Sequence, residues 1–145
     1  MYSRLKIEYY KNLLWNMTVS KSRGKSNLAK PILMLSIIQE VQDGNIIGNH
    51  ITLTESLIET YKTLFTAYAK LPMTSYVYPF YYMKGEDFYH LVGECTRKPP
   101  SAKYLRENVE YAALDDELWQ LLQAVEAREE LREAIISYFI KPNQE

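Results

Sequence analysis

The sequence predicts a mainly helical α+β domain, with about five helices packed on a small antiparallel β-hairpin. Three observations lead there. Apolar residues recur at helical spacing in several long stretches. Residues 32–41 (ILMLSIIQEV) are apolar on nearly every face, the pattern of a helix buried on all sides. Residues 76–93 turn aromatic and β-favouring around Lys84-Gly85-Glu86-Asp87. At 145 residues, 47% apolar and 13% aromatic, the chain suits one domain over 1–140 and a polar tail over 141–145.

Taken in order, residues 2–19 read as a helix with Leu5, Tyr9, Leu13, Leu14 and Met17 as its apolar stripe. Residues 20–29 lack periodicity and contain Gly24 and several serines, so they read as a loop. Pro31 suits the first turn of the next helix, where its missing N–H costs nothing. Asp43-Gly44 supplies the stop, with glycine as the cap. Residues 45–53 read as a short strand or hairpin around Gly48-Asn49. Thr54-Glu55 opens a helix with Leu57, Tyr61, Leu64, Phe65 and Tyr68 inside, ended by Pro72.

Residues 78–83 and 88–92 are then the two strands of the hairpin, and Pro79 puts the first at an edge. Ser101 caps a short helix through Glu107. Leu114 or Asp115 opens a helix with Leu118, Leu121, Leu122 and Val125 inside. Residues 126–139 form the last helix, with Leu131, Ile135 and Tyr138 inside and its acids outside.

Net charge is −1, which by itself predicts no affinity for nucleic acid, but the charge is unevenly spread. No acid lies between Glu8 and Glu40, while Lys11, Lys21, Arg23, Lys25 and Lys30 do. A second basic segment contains Lys84, Arg97, Lys98, Lys103 and Arg106. Acids dominate residues 107–134. Cys95 is the only cysteine, so no intramolecular disulfide forms, which fits a reducing cytoplasm. The expectation is a cytoplasmic protein: the N-terminus is polar and mixed, and no apolar run approaches the ~18 residues of a membrane span.

No catalytic constellation is visible. His50 and His90 lie far apart in the sequence, no HExxH or CxxC motif occurs, and no metal site or cofactor is expected. Arg23-Gly24-Lys25-Ser26 keeps only the end of a phosphate-loop pattern, after a helix rather than a strand. Asp115-Asp116 reads as a helix start, where carboxylates favour the dipole. His90 reads as a surface residue of a strand. What remains is recognition: cations that neutralise phosphates, beside aromatic rings able to stack on bases or wall a pocket.

Three strings in this order resemble a known family. AKPILMLSII is similar to the hallmark in which Lys-Pro opens an apolar helix. YPFYYMKGEDFYHLV is similar to its Pro-Phe element followed by an aromatic strand. VEYAALDDELWQLL with REELREAIISYF is similar to its C-terminal signature. The family is the N-terminal DNA-recognition domain of bacterial HNH-type (type IV-like) restriction endonucleases, which includes the sulfur-binding domain that reads phosphorothioate DNA. There the nuclease is a separate C-terminal HNH module. The resemblance therefore implies a recognition domain without its cutter, standalone or part of a longer chain. It implies a pocket at Tyr78, Pro79, Lys30 and Arg106. Two positions depart from the pattern: Tyr82 where a smaller lining residue is expected, and Ala29 where a histidine or another polar residue precedes Lys-Pro.

The expected function is a non-catalytic DNA-binding module of a restriction or defence system. Lys21, Arg23, Lys25, Lys30, Lys103 and Arg106 contact phosphates; Tyr78, Pro79 and Tyr82 form a pocket or stacking wall. The expected partner is duplex DNA, plain or modified, with a nuclease module or subunit. The alternative is a protein-interaction or regulatory module using acidic helices over 115–133. A third reading, a nuclease subunit borrowing a metal from another chain, would depend on His50 or His90.

Overall fold

The computed structural model describes residues 3–22, 25–69, 72–94 and 100–144. In chain order the elements are α1 (Arg4–Trp15), β1 (Lys21–Ser22), β2 (Lys25–Ser26), α2 (Ala29–Gln42), α3 (Glu55–Tyr68) and α4 (Val77–Tyr82). They continue with β3 (Tyr89–Gly93), α5 (Ala102–Asn108), β4 (Val109–Leu114), α6 (Asp116–Gln123) and α7 (Val125–Ile135). The fold is mainly helical α+β, with seven α-helices among the described residues rather than about five. No described helix is long and apolar enough to cross a membrane.

The centre is α2. Ile32, Leu33, Met34, Ile37 and Ile38 are fully buried, because α3, α4, α6 and α7 all pack on this helix. Pro31 sits in its first turn as expected. Its end is a Schellman motif: Asn45 N donates to the Glu40 carbonyl at 2.9 Å and Gly44 N to the Val41 carbonyl at 3.1 Å. Gly44 adopts φ +78°, which glycine takes without the penalty of a Cβ. The Glu40 carboxylate, also buried, accepts from the Ser56 and Thr60 hydroxyls and ties α2 to α3.

In α1 the inner stripe is Ile7, Tyr10 and Leu14, continued by Met17; Leu5 is 82% exposed and Tyr9 is also exposed. The helix carries two apolar stripes of similar strength, and packing against α7 selects the one containing Ile7. Thr54 and Ser101 cap α3 and α5 as expected, their hydroxyls accepting from Leu57 N and Tyr104 N at 3.1 Å each.

The expected hairpin is corrected. Residues 77–82 are helix, not strand, and Pro79 lies in a first turn where its missing N–H costs no bond. Helical geometry drives Val77, Phe80 and Tyr81 into the core, and that burial overrides the β-preference of the aromatic run. The true partner of β3 is β4, antiparallel, with Tyr89 opposite Leu114 and His90 opposite Ala113. Residues 45–53 form no hairpin. Ile51 alone bridges Ala112, with N–H···O distances of 2.7 and 2.8 Å, adding a one-residue third strand. Near the C-terminus, residues 136–140 form a π-helical turn that shifts the register. Phe139 is therefore buried while Tyr138 lies outside, stacked on Trp15. Val125 is likewise exposed rather than inside.

Candidate functional site

Three separate segments meet around a cavity of about 160 Å³. Thr18, Val19 and Ser20 come from the chain leaving α1. Asn27, Ala29 and Lys30 come from the start of α2. Thr74, Tyr78, Pro79 and Tyr82 come from α4 and its approach. Asn27 holds the first two together. Its N–H donates to the Ser20 carbonyl at 2.6 Å, and its side-chain oxygen accepts from Ala29 N at 2.9 Å, an Asx turn that launches α2. Its Nδ2 reaches Thr74 Oγ1 at 3.2 Å, and the Tyr61 hydroxyl donates to the Thr74 carbonyl at 2.8 Å. The walls are thus pinned by Asn27 and by Tyr61 of the core helix α3.

Tyr78 and Tyr82 are one turn apart on the outer face of α4, 42% and 37% exposed, while Pro79 is buried. Lys30, Tyr78, Pro79 and Tyr82 therefore share one cavity. Lys30 differs from the expected free cation. Its Nζ lies 2.7 Å from Glu86 Oε2, and the two side chains are only 17% and 9% exposed. The same carboxylate oxygen accepts from Thr18 N at 3.1 Å. In the sequence Glu86 is only part of the Lys84–Asp87 turn. No sequence signal sets it apart from its neighbour, since Asp87 is an acid in the same turn.

The other expected contacts are dispersed. Lys21 is exposed on β1, beside Ser20 of the cavity wall. Arg23 and the side chain of Lys25 lie outside the described residues, as do Cys95, Arg97 and Lys98. Lys103 is exposed, 4.0 Å from Glu107 on its own helix. Arg106 Nη2 lies 3.5 Å from the Tyr76 hydroxyl and lines a different cavity of about 230 Å³ with Phe80 and Tyr111. Arg106 therefore does not join Lys30.

A second cleft, about 590 Å³, gathers residues that sequence reasoning kept apart. The register places His90 beside Ala113 on one side, and the Ile51 bridge to Ala112 places His50 beside it on the other. His50 stacks on Tyr111 with centroids 3.8 Å apart. α6 starts at Asp116 as expected, with Asp115 at its N-cap position, but the Asp115 side chain makes no capping bond. Its carboxylate instead pairs with His90 Nε2 at 2.6 Å and accepts from the Tyr10 hydroxyl at 2.9 Å. Burial, then the bond to Asp115, pushes the Tyr10 phenol well above its ordinary range. Asp116 and Glu117 complete the rim, Glu117 lying 3.2 Å from Lys6. Among the described residues, no serine, threonine or cysteine lines this cleft. Among the described residues, no group of three His, Cys, Asp or Glu is placed to hold a metal ion.

The acids of α6 and α7 are largely matched within the chain. Arg4 grips Glu130 with both Nη atoms, one at 2.9 Å from Oε1, and Lys11 Nζ adds a contact at 2.8 Å. The Arg4 hydrogen bond, then that from Lys11, holds the Glu130 carboxyl down to about 2. Glu129 pairs with Arg132, and Glu133 with Lys141 at 3.0 Å. Compared with known proteins, the chain matches no family model and no curated protein sequence.

Proposed function

We propose that this protein is a non-catalytic module that binds the backbone of duplex DNA, of the kind that precedes the nuclease in HNH-type restriction endonucleases of bacterial defence. The observation that carries this reading is the convergence of Lys30, Tyr78, Pro79 and Tyr82 on one small cavity, with Lys21 exposed beside it. Cations of the 21–30 segment neutralise phosphates and release counterions. The two outward tyrosines supply ring faces for a sugar or base edge. Cleavage belongs to a separate nuclease module, and the setting is the cytoplasm.

A small, partly apolar cavity also suits a phosphorothioate. The ligand keeps its charge but exchanges one oxygen for a larger, weakly hydrated sulfur. Burying that sulfur gives only about 1 kcal/mol at ~25 cal/mol/Å². Discrimination comes mainly from the oxygen form, which loses hydration at a cost of about 1–3 kcal/mol. The alternative role for the acidic helices has less support, because their carboxylates are matched by Arg4, Lys6, Lys11, Arg132 and Lys141.

The test is a binding comparison of matched plain, methylated and phosphorothioate duplexes at two salt concentrations. The expected result is salt-dependent binding to all three, tightest for the phosphorothioate. Equal affinity for all three would remove the sulfur preference, and no binding to any would remove the DNA reading.

A further inference from the structure

Lys30 and the Thr18 amide both line the cavity, yet both donate to one oxygen that comes from outside it, Glu86 Oε2, at 2.7 and 3.1 Å. An ammonium and a backbone N–H converging on a single anionic oxygen is the donor set that a non-bridging phosphate oxygen uses. We infer that Glu86 is an internal competitor for the backbone anion: its carboxylate holds the two cavity donors in the free protein and gives them up when a DNA phosphate or phosphorothioate takes its place. This rests on the DNA-binding reading above and identifies the residue that sets its selectivity.

The local structure allows the exchange. Glu86 follows the short turn Met83–Gly85; two backbone bonds, Glu86 N to the Met83 carbonyl at 2.8 Å and Tyr89 N to the Glu86 carbonyl at 3.3 Å, fix its backbone, so the exchange is a movement of its side chain alone. At Gly85 an added Cβ would meet nothing within 4 Å, so the turn borders open space. Nearly excluded from solvent, the Glu86 charge acts on an incoming anion with little screening. An anion that cannot displace it meets a neutral ion pair whose two donors are already occupied. One that can displace it gains Lys30 and Thr18 together. Weak phosphate contacts are thereby rejected at this position, while Lys21 and its neighbours hold the duplex nearby.

Glu86→Gln keeps an oxygen able to accept from Thr18 and Lys30 but removes the charge. Its affinity for a plain duplex at physiological salt should rise on the order of tenfold. Its log K against log salt should steepen by about one unit. In a Lys30→Met background the same change should give no gain. A folded Glu86→Gln protein that binds plain duplex no tighter than wild type overturns the inference. A second measurement needs no variant. The Thr18 amide resonance of the ¹⁵N-labelled wild-type protein should shift when a short duplex is added, and a bound complex that leaves it unmoved also overturns the inference. If wild type binds and Glu86→Gln gains nothing, the competitor role alone falls. If neither protein binds DNA, the DNA-binding reading falls and takes this inference with it.

Discussion

Replacing Lys30 by methionine keeps the buried stem and removes the charge, so it isolates the ion pair with Glu86. The pair is short, 2.7 Å, and largely removed from water. Breaking a fully buried pair costs about 3–5 kcal/mol, because one charge is left without its partner. Two features lower that figure here. Lys30 is 17% exposed, and Glu86 keeps its bond from Thr18 N. The expected loss for Lys30→Met is about 2 kcal/mol, a fall in Tm of roughly 4–8 °C for a chain of this size. Glu86→Gln should cost less, about 1 kcal/mol, because the lysine can extend toward solvent and the amide oxygen still accepts a bond. The double variant should be more stable than the sum of the singles by about 1 kcal/mol or more. Urea unfolding of the four proteins measures this directly. Additive single costs, with coupling below about 0.3 kcal/mol, would refute the claim that the pair is a unit.

Gly93 adopts φ +132°, and an added Cβ would collide with the Asn108 carbonyl and lie 2.9 Å from Val109 Cα. Gly93→Ala should therefore cost at least about 2 kcal/mol in urea unfolding, whereas Gly44→Ala, with open space around its Cβ, should cost only about 1 kcal/mol. Tyr89→Phe removes the buried bond from its hydroxyl to the Phe80 carbonyl, 2.7 Å, that ties the end of α4 to β3. It should cost about 1–2 kcal/mol, and an unchanged denaturation midpoint would argue against that clamp. Glu130 has a folded pKa near 2 against an ordinary 4.5, so between those values the unfolded chain binds more protons and stability rises with pH. Its contribution is complete above about 4.5 and is lost as pH falls toward 2. Glu130→Gln should flatten the Tm-against-pH curve in that window, and an unaltered slope would contradict the Arg4 and Lys11 contacts.

What could be read from the sequence was local. The α2 core, the Gly44 stop and the Thr54 and Ser101 caps depend on residues within a few positions of one another, and all stand as expected. What could not be read depends on distant pairs. β3 pairs with a strand on the far side of α5, whereas local sequence pattern points to its nearest aromatic neighbour, residues 78–83. The face of α1 was ambiguous because both stripes are apolar, and only the packed neighbour chooses. The cleft of His50, His90 and Asp115 exists because Ile51 joins the sheet at Ala112, a single bridge with no sequence period. Lys30, Tyr78, Pro79 and Tyr82 were named from motif positions rather than periodicity, and they do share a cavity. The partner of Lys30 is 56 positions away, which is why its charge looked free.

The central claim, that the 21–30 segment presents cations to a DNA backbone, is tested most directly by one titration. Duplex binding is measured against salt for the wild-type protein and for the triple reversal Lys21→Glu, Arg23→Glu, Lys25→Glu. With about four phosphates neutralised by Lys21, Arg23, Lys25 and Lys30, log K should fall against log salt with a slope of about −3 to −4, and the triple reversal should abolish binding while leaving the fold intact by circular dichroism. Binding that ignores salt, or a triple reversal that binds as well as wild type, would contradict it.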